Sequence, residues 1–534
     1  MREPLHQPGK LPSLSEEIAR RWPGKVRVSF VPEKFLGQME CDASILGEVC
    51  AWLFSEKGYS FASLIVEDQK GEWHLRYIFY GDVGGGHVHL ILRVAKTGAA
   101  IPSISHVVHA ADWHEREAED LFGLVFEGHP RLGDFVLHEE WPEGVNPMRT
   151  DFDPTQPYAH REMNPDWRPV RVVQAPGAFM MPIGPIYSDF AESAHFLLET
   201  VGEDVIRTIP RFFYKYRGVE KIAEGQSAGK MLLLAERFSG TSAFAHSLAF
   251  CQAVEEISGV EVPARAGALR VILAELERLR HHVSAIAGIC GSTALAVATS
   301  QVSILEEELL RLTCWLTGHR YLFGLNLPGG LTRDLRDETL KILSVAIDGF
   351  MKQLQELKEM LRFSSSFLDR LEEVGIVCGE GAVSYGLVGP VARASGIARD
   401  LRKVLPYGGY EAVDFAVPFE QEGDGYARLR VLFSEAEQSA HIIRQVASSL
   451  PPGPAISPSF RISSGSALGW VEAPRGAAFH WVRLGEDGRV VRYRITPPSF
   501  TNWHGFHLAA EDFAFQDFPI IMATFSLSNA ECDR

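Results

Sequence analysis

Four long runs repeat apolar residues at intervals of three and four: Met231 to Ser258, Pro263 to Ile289, Gln301 to Leu316 and Leu335 to Val374. That spacing places the apolar side chains along one stripe of a helix, and such a stripe has to be buried against another. The pattern predicts a body of packed helices. Residues 26–130 follow a different rule. There Val26 to Phe30, Ser63 to Val66, His74 to Phe79 and His87 to Val94 read as strands, and Ala43 to Glu56 reads as an amphipathic helix. Leu137 to Pro176 is rich in Pro, Trp, Asp and Asn and has no sustained period, as expected of an extended linker wrapping over a surface. Gly469 to Ile495 turns strand-like around the hairpin signal Glu486-Asp487-Gly488. The expected fold is an α+β N-terminal domain over residues 1–136, a linker over 137–176, and a mainly α-helical domain with small β elements over 177–534.

A chain of 534 residues is long enough for several domains with real cores. Its 52 Lys and Arg against 68 Asp and Glu give a formal charge of -16, which argues against nucleic acid as a partner. The seven cysteines are scattered, with no C-x-x-C, and fit a reducing cytoplasmic setting. Met1 to Lys10 does not read as a secretory signal, and no apolar run approaches a membrane span. Association with a membrane would depend on other subunits.

Several segments invite a chemical reading. Gly81-Asp82-Val83-Gly84-Gly85-Gly86 lies between two strand patterns and opens no helix, so it reads as a hairpin loop rather than a phosphate cradle. Trp113 to Gly123 gathers one histidine and four carboxylates. A metal site is conceivable there, but acids complementing the dipole at a helix N-terminus are the simpler reading. Glu236 to Ser247 sets an arginine, small hydroxyl residues and a histidine where a long helix is expected to begin. Ser239 or Ser242 with His246 would resemble a nucleophile pair, yet there is no elbow and no third member, and helix capping is preferred. Of the adjacent His281 and His282, about 100° apart on a helix, one is expected buried and one exposed.

Taken in order, these segments resemble a known family. Glu115 to Pro130, with Glu115-Arg116-Glu117, Asp120-Leu121-Phe122-Gly123 and Gly128-His129-Pro130, resembles the small hydrophilic subunit of respiratory complex I. From Met181 onward the chain is similar to the hydrogenase-like large subunit of complex I and of the membrane-bound group 4 NiFe-hydrogenases. The matching stretches are Tyr216 to Lys221, Gly324 to Leu335, Gly389 to Arg402 and Glu472-Ala473-Pro474-Arg475-Gly476. Fusion of both parts resembles formate hydrogenlyase and hydrogenase-4. The resemblance implies a complex I-like fold and a place in an electron-transport oxidoreductase complex. The implied partners are an Fe-S small subunit, a ferredoxin-like Fe-S subunit and antiporter-like membrane subunits. The chain would then lie peripherally on the cytoplasmic side of the membrane, with the Fe-S clusters carried by those partners.

The chemistry of that family does not transfer intact. The hydrogenases hold nickel and iron by four thiolates, from R-x-C-G-x-C and a later C-x-x-C. The corresponding positions here are Ser239, Ser242, Ser528 and Glu531, whose hard oxygens do not suit such a centre. The resemblance therefore implies no metal and no cofactor bound by this chain, and no H2 chemistry of its own. The ending Glu531-Cys532-Asp533-Arg534 resembles that of complex I, where no maturation cleavage is needed. Complex I contacts quinone through a G-P-x-H-P-x-x-H-G loop and a tyrosine. Here that loop reads Gly184 to Glu192, with Tyr187 and Ala191 at the histidine positions, and Gly240 stands at the tyrosine position. Arg237 is common to both branches and is expected near the cluster of the adjoining small subunit, where a guanidinium favours the reduced state. The alternative for Arg237 is an ordinary ion pair in the core.

Three readings follow. The first is a hydrogenase-like subunit of an energy-converting-hydrogenase-related complex, coupling electron transfer to ion translocation. The second is a quinone-reductase subunit with a remodelled head-group site contacted by Tyr187 and Arg237. The third is a non-catalytic assembly or structural subunit.

Overall fold

The computed structural model describes residues 10–31, 36–82, 85–96, 100–162, 164–166, 171–174, 176–187 and 192–534. The chain divides into two compact units, Met1–Val170 with Val383–Gly386, and Arg171–Ala382 with Leu387–Arg534.

The first unit is built on a five-stranded sheet. Its strands run Val26–Val31, Leu36–Cys41, His87–Ala95, Glu72–Tyr80 and Ser60–Asp68 in spatial order. All neighbours are antiparallel except Leu36–Cys41 with His87–Ala95. Leu36–Cys41, with glycine, glutamine and glutamate among its six residues, was absent from the expected strands. The expected helix Ala43 to Glu56 forms as three consecutive short helical segments. Glu72–Tyr80 and His87–Ala95 pair as a hairpin closed by Tyr80 opposite His87, while Val83 and Gly84 of its glycine-rich loop lie outside the described residues.

Asp112–Phe122 is a helix with Asp112 and Glu115 in its first turn, as its sequence suggests, but its acids are not solvated. Glu115 is fully buried and accepts hydrogen bonds from Ser103 Oγ at 2.5 Å and Ile104 N at 2.8 Å. Burial pushes its carboxyl up to about 8, against the pull of those two donors. Among the described residues no cluster of His, Cys, Asp and Glu is arranged to hold a metal ion. Residues 137–162 form turns without a helix or strand, and Asp153 closes one of them on Thr155.

The second unit is helical at its centre. Ala264–Ser292 packs against Ala296–Thr317 and Gly425–Ser448, and Asp337–Arg362 covers the latter two. The expected single helix Met231 to Ser258 is two, Ala228–Arg237 and Ala243–Ser258, because Ser239, Gly240, Thr241 and Ser242 interrupt it. Two small antiparallel sheets flank the helices. One, of Gly465–Ala473, Gly476–Leu484 and Val490–Thr496, matches the strand pattern expected there. The other, of Ala178–Ile183, His195–Val201, Asp204–Arg211 and Glu511–Ala514, was not expected.

Much of the matched sequence serves a buried ionic lattice. Arg393 joins Glu435 at 2.5 Å and Glu472 at 2.9 Å, and Arg402 joins Asp400 at 2.6 Å and Glu275 at 2.8 Å. His282 completes it, 2.9 Å from Glu435. His281 and His282 are both buried, contrary to expectation, because Ala264–Ser292 is enclosed on almost every face.

Candidate functional site

The site begins where the helix breaks. Ser242 occupies the N-cap of Ala243–Ser258 with φ -129° and makes no side-chain cap, so the expected hydroxyl capping does not occur. Glu277 of the neighbouring helix caps it instead, its two oxygens accepting Phe244 N at 2.8 Å and Ala245 N at 2.9 Å. Burial raises the Glu277 carboxyl to about 7, and the two N–H donors restrain the rise. Arg280, one helical turn along, donates to Thr241 O at 2.6 Å and so pins the interrupted loop to Ala264–Ser292.

The freed hydroxyls meet the last residues of the chain. Ser239 Oγ donates to Glu531 Oε1 at 2.9 Å, and Ser499 N donates to Glu531 Oε2 at 3.1 Å. Arg475, from the tight turn between Gly465–Ala473 and Gly476–Leu484, reaches into the same place. Its Nη1 lies 2.9 Å from Thr241 Oγ1, 3.5 Å from Ser242 Oγ and 3.3 Å from Glu531 Oε1. Its Nε donates to Ser526 O at 2.7 Å. Burial opposes ionisation of Glu531, but Arg475 above all, with His246 and the Ser499 side chain, outweighs it and holds the carboxyl at about 2. His246 Nε2 is 3.8 Å from Glu531 Oε1, beyond hydrogen-bond range.

Ser528 is buried beside this group but turns to a different acid. Its Oγ lies 3.1 Å from both oxygens of Glu192, which also accepts Ala530 N at 2.8 Å. Arg217 ties down the same segment, donating to Phe238 O and Asp533 O, each at 2.9 Å. Glu220 gathers Arg492, Arg494 and Arg534 within 3.1 to 3.4 Å.

Four of the residues singled out in the sequence thus come together around one ion pair: Ser239, Ser242, His246 and Glu531. Arg237 points elsewhere. Its guanidinium is 52% exposed, lies 2.8 Å from Glu236 and stacks 4.3 Å over the Phe323 ring. It does form a carboxylate pair, but at the surface rather than in the core. Tyr187 is half-buried and donates to Ala194 O at 2.9 Å. Ser188 to Ala191 of its loop lie outside the described residues. The roles of Arg475, Glu192 and Glu277 were not anticipated. For Arg475 a signal existed, since it lies within the Glu472 to Gly476 stretch already marked by resemblance.

Comparison with known proteins bears on the family of the chain. The family described as respiratory-chain NADH dehydrogenase, 49 Kd subunit, matches residues 298–464 and 455–534, and the 30 Kd subunit family matches residues 39–158. Formate hydrogenlyase subunit 5 of Escherichia coli K12 is 31% identical over 497 residues, covering 92% of this chain and 87% of that protein. The chain belongs to this fused complex I and hydrogenase-4 family. Hydrogenase-4 component G of the same strain is 30% identical over 436 residues, covering 81% of this chain and 76% of that protein. An NADH-quinone oxidoreductase subunit of Bdellovibrio bacteriovorus is 29% identical over 476 residues, covering 82% of this chain and 83% of that protein. As a fused complex I-type subunit, the chain is a component of an oxidoreductase complex. Among its described residues no helix is long and apolar enough to cross a membrane.

Proposed function

We propose that this fused subunit is the hydrogenase-like member of a membrane-associated, complex I-related complex, and that it works without a NiFe centre of its own. The observation that carries the reading is the chemistry at the four positions where the resemblance places thiolates. Ser239, Ser242, Ser528 and Glu531 offer oxygen only, and Arg475 sets a cation against two of them, Ser242 and Glu531. Soft thiolates hold such a centre, and a guanidinium repels a metal cation. These residues do not fit the group. What they form is a closed ion pair that fastens the chain's last residues to the helix break.

The subunit would then act by docking and by coupling. An Fe-S small subunit sits against the Arg237 face, where an exposed guanidinium held by Glu236 and Phe323 favours a reduced, more negative cluster. A ferredoxin-like Fe-S subunit and antiporter-like membrane subunits complete the assembly, hold the chain at the membrane and link electron transfer to ion movement. The Tyr187 hydroxyl is engaged with the Ala194 carbonyl, which weighs against its use as a quinone donor. The test is purification of the tagged chain from detergent-solubilised membranes, with subunit identification and metal analysis. Co-purifying Fe-S and membrane subunits with no stoichiometric nickel on this chain are expected. Recovery of the chain alone in the soluble fraction, or one nickel per chain, would refute the reading.

A further inference from the structure

Behind Glu531 runs a chain of buried rings to which no role has been given. His246 Nδ1 lies 3.0 Å from His480 Nε2, and His480 Nδ1 lies 2.6 Å from the Tyr493 hydroxyl. All three side chains are fully buried. His246 Nε2, at the inner end, has no hydrogen-bond partner among the described residues and faces Glu531 Oε1 at 3.8 Å. We propose that Tyr493 and His480 are positioning residues that fix His246 in its Nε2–H tautomer, so that it presents an N–H to the Glu531 carboxylate.

The direction of each bond follows from the two ends. Glu531 is ionised, so a bare nitrogen lone pair facing it would be repelled, whereas an N–H is attracted. A neutral His246 carrying its proton on Nε2 has an acceptor at Nδ1. His480 Nε2 must then donate, which leaves His480 Nδ1 as an acceptor, and the Tyr493 hydroxyl supplies its proton. Burial keeps Tyr493 protonated and His480 uncharged, so each ring holds the single proton that this order needs. The opposite order puts lone pair against carboxylate at the inner end. The remaining groups near the chain do not reverse it. Arg475 is already paired with Glu531, Phe238 offers only a ring face 4.5 Å from His246, and Glu220 and Cys251 act on Tyr493 from the far end.

The inference rests on taking the Ser239–Glu531 group as the functional centre, but its test does not use turnover. The full chain, labelled with 15N-histidine, is studied by solid-state NMR at neutral pH, and the two rings among the 19 histidines are assigned by difference from His246→Gln and His480→Gln. Neutral rings with both protons on Nε2 are expected. In Tyr493→Phe, which loses one oxygen, His480 Nδ1 loses its donor, so its 15N resonance should move to that of an unbonded ring nitrogen, with the Ser239–Glu531 contact retained. Protons on Nδ1 of both rings, an imidazolium at His246 in the unaltered protein, or an unchanged His480 Nδ1 resonance in a folded Tyr493→Phe would overturn the proposal. The first measurement needs no variant, so a misfolded Tyr493→Phe does not shield the idea. A failure here would leave the reading of the complex standing, since that reading turns on subunits and nickel.

Discussion

Replacing Glu531 with Gln tests the closed centre most directly. The substitution keeps one acceptor oxygen, enough for Ser239 or Ser499 N but not both, and removes the charge that pairs with Arg475. The Glu531 carboxyl falls from its ordinary 4.5 to about 2 on folding. At about 1.4 kcal/mol per pH unit, that fall is worth roughly 3 kcal/mol of stability at neutral pH. Breaking a buried ion pair by removing one partner gives a similar figure, about 3–5 kcal/mol. Because the folded value is depressed, this stability is present above pH 4.5 and is lost as pH falls from 4.5 toward 2. The loss should be local first, since the pair clamps residues 526–534 to the loop 238–242. Hydrogen exchange of peptides covering those two segments should accelerate by roughly 100-fold at pH 7 in Glu531→Gln. Urea unfolding of the variant should also lack this part of the wild-type acid sensitivity. Unchanged exchange in both segments, or an acid profile identical to wild type, would refute the idea that a buried charge pair closes the site.

Four further outcomes follow from other contacts. Glu277→Ala removes the cap of Ala243–Ser258 and should cost about 1–2 kcal/mol in urea unfolding, with fraying of residues 243–246 seen by hydrogen exchange. Glu115 has a folded value near 8, raised above its ordinary 4.5, so wild-type stability falls as pH rises across that window. Glu115→Gln should therefore gain on wild type by up to about 5 kcal/mol between pH 4.5 and 8, and a gap independent of pH would count against a neutral Glu115. A Cβ at Gly184 would stand 2.1 Å from Ala194 O, whereas one at Gly177, also at positive φ, meets open space, so Gly184→Ala should lower the thermal midpoint well beyond Gly177→Ala. Arg237→Ala, at an exposed pair, should change stability by less than about 1 kcal/mol while reducing recovery of the Fe-S subunit; equal recovery would remove Arg237 from the interface.

What could be read from sequence divides along the range of the interactions. The helices Ala264–Ser292, Ala296–Thr317 and Asp337–Arg362, and the hairpin before Val490–Thr496, repeat with their own period, so neighbouring residues announce them. The sheet containing Ala178–Ile183 gives no such notice. That strand is half-exposed without alternation, and Asp204–Arg211 pairs with Glu511–Ala514 from the far end of the chain. The candidate site shows the same division in its chemistry. That Ser239, Ser242, Ser528 and Glu531 offer only oxygen is legible letter by letter. That Ser239 and Glu531 bind each other, while Ser528 turns to Glu192, depends on side chains delivered by distant segments.

The order of these dependencies bears on how the fold joins the helix break to the chain's last residues. Arg475 lies three residues beyond Glu472, which is fixed by Arg393 and the Leu401 N–H in the buried lattice. The turn that carries Arg475 is therefore anchored from the lattice side before it reaches Glu531. Glu531 is fixed in turn by Ser239 and Ser499 N, and Glu192 holds the residues just ahead of it. Each element of the centre has a second attachment outside it, so the ion pair is approached from two rigid sides. A guanidinium and a carboxylate held in this way can close the gap between the helix break and the chain's last residues.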